Sequence, residues 1–414
     1  MVHAVKAPSD VGLARRIAMV AYTEYASDPR VRREAETLVA EGHRVEAIVL
    51  RPRSGPSAAE LDGVHLHEVP LSARRGGGMR YLYQYAVFFL LSSLLLFRLY
   101  RRVRFNLIYI HSLPDFQVFC ALPFKCMRIP VLLDLHEPMP EIVVARLRRP
   151  TGSAWFRISA AIERLSCLFA DHVIVANDGI RDAVVSRRVS PSRVTTVYNV
   201  YEVGPRPVSP EEVRRRLGLP EGRLLVHAGG VSPERDLATL VEAVALLPGH
   251  DDIHLVIAGE GAPEYIEALR GLAHHLGLED RIRFVPKMQL ELARALVALS
   301  EIGIVTLESN PLTQLAWPTR LVELVALRKP LVVPQLPLLA SVLRDAARYY
   351  PPGDPQGLAR ALQEVLTNKH EWESKAEEAA RVCQEFDGKR ARTTLLEILH
   401  RVDNPTIPSS APAM

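Results

Sequence analysis

Cysteine is scarce in this chain. There are four in 414 residues, Cys120, Cys126, Cys167 and Cys383, and no two stand at a metal-ligand spacing. That excludes a disulfide scaffold and argues for reduced, buried thiols in a cytoplasmic protein. An excess of charge is missing too. The 51 basic and 47 acidic side chains leave a net +4, too little to argue for nucleic acid. No aromatic-plus-basic repeat of the single-strand-binding kind occurs either. After the first strand-like segment stands Ala21-Tyr22-Thr23-Glu24-Tyr25 rather than Gly-x-Gly-x-x-Gly, which argues against a dinucleotide oxidoreductase. Residues 1–15 lack the apolar core of a signal peptide, so they read as an N-terminal extension and export is not expected. Residues 404–414, rich in Pro and Ser, read as a disordered tail.

What is present is a long alternation of apolar strands and amphipathic helices, the mark of an α/β fold with parallel sheets. Hydrophobic residues at 48% and a length of 414 residues allow two domains with full cores. In the first half the pattern predicts strands over Arg16–Ala21, 44–49, Val64–Val69, Leu107–His111, Val131–Leu135, His172–Val175 and 193–197, with helices over 29–41 and 154–170 among the segments between them. The second half restarts with strands over 224–228, 254–258, 282–285, 302–306 and 331–333. Residues 199–210, with three prolines and a glycine in their second part, read as a linker. The expected boundaries are 16–203 for the first domain and 204–387 for the second. A helix over 388–403 is expected to return to the first domain. Two doubly wound, Rossmann-like domains facing a central cleft would hold ligands at the carboxyl ends of their strands.

Two segments of the second half carry most of the chemistry. In Val226-His227-Ala228-Gly229-Gly230-Val231-Ser232-Pro233-Glu234-Arg235, a strand runs into a glycine pair. Ser232 is expected to cap a helix, with Pro233 at its first position and Arg235 in its first turn. In Pro318-Thr319-Arg320-Leu321-Val322-Glu323, Pro318 opens a second helix. That places Thr319 and Glu323 on one face with Arg320 beside them. A helix N-terminus offers free N–H groups and positive dipole to an anion, and Arg adds a forked, permanent charge. A carboxylate one turn further in can accept the paired hydroxyls of a ribose. The combination describes a nucleoside-diphosphate site.

At this point the chain resembles a known family over nearly its full length: the retaining GT-B glycosyltransferases of family 4, the glycosyl transferases group 1. Met19-Val20-Ala21-Tyr22 through Ser27-Asp28-Pro29-Arg30-Val31-Arg32-Arg33-Glu34 resembles the family's first strand, loop and helix. Leu133-Asp134-Leu135-His136-Glu137 resembles its central acceptor-domain strand end, and Asp171-His172-Val173-Ile174-Val175-Ala176 with Val197-Tyr198-Asn199 its domain-closing strands. Ala258-Gly259-Glu260-Gly261 and the 318–323 segment resemble its donor-site turns. The resemblance implies transfer of a sugar from a nucleoside-diphosphate sugar to a hydroxyl acceptor, glycan, lipid-linked or small, with retained configuration. It implies no metal and no cofactor. Glu323 would hold the ribose, and Gly229 and Gly230 would admit the phosphates to the backbone. Arg235, Thr319, Arg320 and Lys287 would gather at the diphosphate, and His136 would sit by the reacting centre. Two departures stand out. Leu315 occupies the place of a first glutamate found in many members, and Arg328 that of a small turn residue in Ala326-Leu327-Arg328-Lys329-Pro330.

Plainer readings stay open beside these. Arg235 and Arg320 could be surface arginines, Glu323 a partner of Arg320, and His136, His111 and Asp115 structural. Around Tyr85 to Phe97, 13 almost wholly apolar residues are flanked by Arg74, Arg75 and Arg80 before and by Arg98, Arg101, Arg102 and Arg104 after. The run is short of the roughly 20 residues of a spanning helix. Residues 81–104 then read equally as a helix on a membrane surface, suiting polysaccharide biosynthesis by a peripheral enzyme, or as a buried helix of the first domain. Other functions in view are a nucleotide-sugar epimerase or hydrolase of the same fold, and a degenerate non-catalytic partner. No nucleic-acid partner is expected.

Overall fold

A computed structural model describes residues 14–52, 58–71, 78–199, 208–249, 252–386 and 388–403. Most of the N-terminal extension, Arg74, Arg75, the 404–414 tail and most of the linker with its 203/204 boundary lie outside the described residues. The chain forms two compact units, residues 1–199 with 389–414 and residues 200–388.

The first unit is an eight-stranded sheet. Its strands are β1 (Arg16–Ala21), β2 (Arg44–Leu50), β3 (Glu60–Leu61), β4 (Val64–Val69), β5 (Leu107–His111), β6 (Val131–Leu135), β7 (His172–Val175) and β8 (Val194–Thr196), in the order β3-β4-β2-β1-β5-β6-β7-β8. All pair in parallel except β3 with β4. β1, β5 and β6 are buried on both faces, which is why they read as unbroken apolar runs. The strand order reverses between β1 and β5, so their carboxyl ends form the switch point where ligands bind in open α/β sheets. The helix Gly388–Asp403 belongs to this unit, where Arg392 pairs with Glu41 and Arg15 Nη2 donates to the Leu399 carbonyl at 3.5 Å.

The second unit holds β9 (Arg223–Val231), β10 (Ile253–Gly261) and β11 (Ile282–Pro286) in one sheet, and β12 (Gly303–Ile304), β13 (Leu331–Pro334) and β14 (Arg348–Tyr350) in another. A parallel bridge from Leu224 to Ser300 links them. β9 and β10 run three residues beyond the expected 224–228 and 254–258 and stay paired to Gly261 and Val231. Glycine permits this. A Cβ on Gly259 would lie 1.7 Å from the Gly229 carbonyl oxygen, and one on Gly261 2.0 Å from that of Val231. The 302–306 strand shortens to two residues, because Thr306 turns away to donate from Oγ1 to the Arg235 carbonyl at 2.6 Å.

One expectation is corrected. Ser232 does not cap a helix, and Arg235 does not lie in a helical first turn. Pro233–Arg235 is an isolated 3-10 turn, and the helix Leu237–Ala245 begins only after Asp236, whose φ of +48° breaks the two apart. Asp236 is held there by Thr239 Oγ1 at 2.7 Å and the Gly353 N–H at 3.2 Å. The second helix, Thr319–Ala326, forms as expected, with Pro318 at the capping position just before it. It ends at Arg328, whose φ is +49°. The Lys329 N–H reaches back to the Leu324 carbonyl at 3.1 Å, so a left-handed cap forms although arginine replaces glycine. An L side chain in that conformation is strained by about 1–2 kcal/mol. Arg328→Gly is therefore expected to stabilise the second unit by about 0.5–1 kcal/mol, a rise of roughly 1–4 °C in Tm. A lower Tm would mean that the exposed Arg328–Glu377 pair at 2.8 Å outweighs the strain.

Candidate active site

The first unit gathers its polar groups around one carboxylate. Asp134 is the fourth residue of β6 and fully buried. A buried carboxylate is stable only if paired and hydrogen-bonded. Arg30, in the first turn of the helix Pro29–Ala40, forks onto it: Nε to Oδ2 at 2.8 Å and Nη2 to Oδ1 at 2.7 Å. The third Arg30 donor, Nη1, reaches the Val197 carbonyl at 2.8 Å, and Glu34 lies 3.3 Å from Nε. Tyr109 in turn donates to Glu34 at 2.5 Å. Asp28 caps this helix by accepting from the Arg30 and Val31 N–H groups at 3.1 and 3.2 Å, which fixes where Arg30 starts.

Two histidines complete the cluster. His111 Nδ1 and His136 Nε2 each lie 3.2 Å from Asp134 Oδ2 and 3.0 Å from each other. His111 is buried, whereas His136 keeps 19% of its side chain exposed. His136 lines a cavity of about 340 Å³ with Tyr22, Thr23, Arg30, His111, Ser112 and Glu137 at the carboxyl ends of β1, β5 and β6. Burial alone would lower the His136 pKa, but the Asp134 carboxylate outweighs it and raises the imidazole above 6.5. Burial would likewise raise Asp134, and the charges of Arg30 and His136 instead hold it well below the usual carboxylate range. His111, Asp134 and His136 bring ligand atoms within 4.8 Å of one another. Yet both Asp134 oxygens already accept from Arg30. A cation there would sit against a permanent guanidinium charge.

In the second unit the carboxyl end of β9 is the centre. Gly229 and Gly230 are exposed, and a Cβ on Gly230 would meet nothing within 4 Å. Arg320 donates to the Ala228 carbonyl and to Glu323, so the helix Thr319–Ala326 is tied directly to the glycine ridge. The plainer reading of Glu323 as a partner of Arg320 therefore holds in this structure. It accounts for only one carboxylate oxygen. Oε1 is buried without a hydrogen-bond partner, and burial pushes the carboxyl pKa up against the pull of Arg320 and Arg294. His227, just before the ridge on β9, has its Nε2 3.3 Å from the Gly230 carbonyl. Desolvation drives its pKa down to about 4; that hydrogen bond opposes the shift, while Arg235 and Arg320 add to it.

The structure thus brings Gly229, Gly230, Arg320 and Glu323 together, with Arg235 close enough to act on His227. Thr319 is exposed at the start of its helix. Lys287 pairs with Glu260 at 3.3 Å and lines a neighbouring cavity of about 430 Å³ with Gly259, Gly261, Arg270 and Phe284. Leu315 ends a short 3-10 turn and is half-buried. Sequence reasoning missed Arg30 and Asp134 as site residues, missed His227, and favoured structure for His111. The available signal was a charged residue inside the apolar run Leu133-Asp134-Leu135.

Removing Arg30 while Asp134 stays buried leaves an uncompensated charge. Arg30→Met is expected to cost about 3–5 kcal/mol in the first unit, read from its melting transition, and a cost below about 1 kcal/mol would contradict the pairing. The raised His136 pKa gives a pH signature. A base with a raised folded-state pKa contributes stability that is complete below 6.5 and lost as pH rises through the folded value. The His136→Ala penalty, about 1–3 kcal/mol at pH 6, should therefore shrink by pH 9. Parallel melting curves at both pH values would refute it.

Comparison with known proteins gives the same architecture. Residues 27–200 match the Glycosyl transferase 4-like domain and residues 209–382 the Glycosyl transferases group 1 domain. A D-inositol 3-phosphate glycosyltransferase of Nocardioides sp. is 32% identical over 220 residues, 48% of this chain and 47% of that protein. The chain thus matches about half the length of that relative. Among solved structures, sucrose-phosphate synthase from Thermosynechococcus elongatus superposes with a TM-score of 0.74 at 15% identity, covering 95% of this chain and all of that one. The Anabaena HepE protein in complex with UDP and glucose superposes at 0.69 and 16% identity, covering 93% of this chain and 99% of that one.

Proposed function

Because this chain belongs, in both its halves, to the glycosyl transferases group 1 family and its GT4-like partner domain, we propose that it moves a sugar from a nucleoside-diphosphate sugar to a hydroxyl acceptor. The observation that carries this reading is Glu323 Oε1. It is a buried acceptor without a partner, one turn inside a helix whose Arg320 is fastened to an open glycine ridge. An unpaired buried carboxylate oxygen is costly, and a ribose hydroxyl would satisfy it. The diphosphate would then lie along Gly229 and Gly230, with Arg235 and Arg320 neutralising it and Thr319 at the helix start. Lys287 would serve from the adjoining cavity, whose strand-end lining suits the base. The UDP bound by HepE makes UDP the first nucleotide to try.

The transfer we propose is metal-independent and retains configuration. The bond from the anomeric carbon to the β-phosphate oxygen breaks as the acceptor oxygen bonds to the same face. The acceptor proton passes to the departing phosphate, leaving the glycoside and a nucleoside diphosphate. Fixed arginine charges supply the stabilisation for which other sites recruit a cation. His136, held by Asp134, orients the sugar and stabilises charge at the reacting centre; it is not a nucleophile. The reading places the enzyme in the cytoplasm, in keeping with four free cysteines, three of them buried.

A thermal-shift series with UDP, GDP, dTDP and ADP in EDTA tests the site. One diphosphate at a hundredfold excess over its Kd should stabilise the wild type by about 2.7 kcal/mol, and Glu323→Ala should weaken it at least about tenfold. With that donor's sugar, His136→Ala should keep the nucleotide shift and lose about 100-fold or more in turnover. A shift abolished by EDTA would refute metal independence, and no shift with any nucleotide would favour a non-catalytic partner. Donor consumption without an acceptor would favour a hydrolase or epimerase.

A further inference from the structure

Two helices of the first unit expose apolar stripes. Gly78–Val103 is 26 residues long, twice the apolar run visible in the sequence, and its Arg80–Val103 portion has the length and composition to cross a membrane. Its inward stripe is Gln84, Phe88, Ser92, Leu96 and Leu99, all buried, with Ser92 accepting from Gln117 Nε2 at 2.7 Å. The outward stripe is Tyr83, Leu90, Leu94 and Phe97, each more than half exposed at 67%, 61%, 57% and 56%. In the helix Ala154–Phe169 the pattern is inverted outright. Ser159, Glu163, Ser166 and Cys167 point inward and are buried, while Trp155, Ile158 and Leu165 are exposed at 57%, 55% and 57%. Water-facing helices carry the opposite pattern, and contiguous exposed apolar surface marks an interaction site.

Both helices flank one segment. Phe89 of the first meets Phe116 at 6.1 Å with tilted rings, and Phe169 of the second meets Phe119 edge to face at 5.2 Å. The charge beside the stripes has one sign. Residues 78–104 contain no acid, and the only acid between 142 and 169 is the buried Glu163. Arg98, Arg101, Arg102 and Arg104 close the first helix, Arg146, Arg148 and Arg149 lie on the segment before the second, and Arg157 and Arg164 are on it, all exposed.

We propose that these two helices together form a face that lies flat in the interface of an anionic lipid bilayer. Their apolar stripes enter the acyl boundary and the arginines meet headgroup phosphates. The face does not span, because Phe88, Ser92 and Leu96 are fully buried against the unit's own core and would have to leave it. A second copy is a poor occupant, because a twofold contact would set arginines against arginines with no exposed acid within these segments to pair them. The inference is independent of which sugar is moved.

The test uses the full chain and vesicles of phosphatidylcholine, alone or with about a third phosphatidylglycerol. Flotation should recover the protein with the anionic vesicles, at least about tenfold more weakly with the neutral ones, and much less in high salt. Among the three tryptophans Trp317 and Trp372 are buried, so a blue shift of emission on anionic vesicles would report Trp155 entering lipid without any substitution. Leu90→Glu with Leu94→Glu, and separately Ile158→Glu with Leu165→Glu, should each reduce binding at least about tenfold. Arg98→Gln with Arg101→Gln should remove the salt dependence and serves if a glutamate variant fails to fold. Binding unaffected by the Ile158/Leu165 pair would overturn the two-helix face. Protein retained after an alkaline, high-salt wash would mean a spanning helix. Absence of vesicle binding, with dimers that the same substitutions dissociate, would mean a second copy. Either result would overturn the proposal.

Discussion

The Arg30–Asp134 pair is the constraint on which the first unit depends. A carboxylate at the end of a central, fully buried strand would be intolerable alone. With Arg30 forked onto both oxygens it becomes a fixed negative centre that two histidines can share. The same guanidinium reaches the Val197 carbonyl, so one side chain joins the first helix, the central strand and the last strand's exit. Breaking such a pair costs far more than the pair contributes over an apolar substitute. It stands beside the cavity at the carboxyl ends of β1, β5 and β6, which Arg30 and His136 both line.

The second unit uses the same device with weaker burial. Arg320 joins the end of β9 to the helix that carries Glu323, and glycines at 259 and 261 let β9 and β10 stay paired to their tips. The ridge is thus rigid and bare, and a polyanion can approach its backbone.

Much of this was legible in the sequence. The strands were, because parallel strands buried on both faces are unbroken apolar runs. Arg320 and Glu323 were, because their spacing on one helix is local. The start of the Leu237–Ala245 helix was not, since Asp236 takes a left-handed conformation fixed by Thr239 and by Gly353, 117 residues away. Arg30 was quoted within a motif and still missed as a site residue, because its partner lies 104 residues further along. The helix Ala154–Phe169 shows a different limit. Its span was legible, but only the fold shows that Ser159, Glu163 and Ser166 take the inside while Trp155, Ile158 and Leu165 face out.

One feature of the thiols bears on how this molecule can be watched. Of the four cysteines, Cys120, Cys167 and Cys383 are buried and Cys126 is exposed, and burial pushes the three buried thiols up to about 12 or beyond. Reactivity belongs to the thiolate, so those three are inert at neutral pH. Cys126 ends the short helix Leu122–Cys126, between the exposed side chains of Leu122 and Met127. Nature has left a single chemical handle here: one maleimide dye or spin label goes onto the unmodified chain at one known position of the first unit, and distance or polarity can be read there without engineering a cysteine-free background.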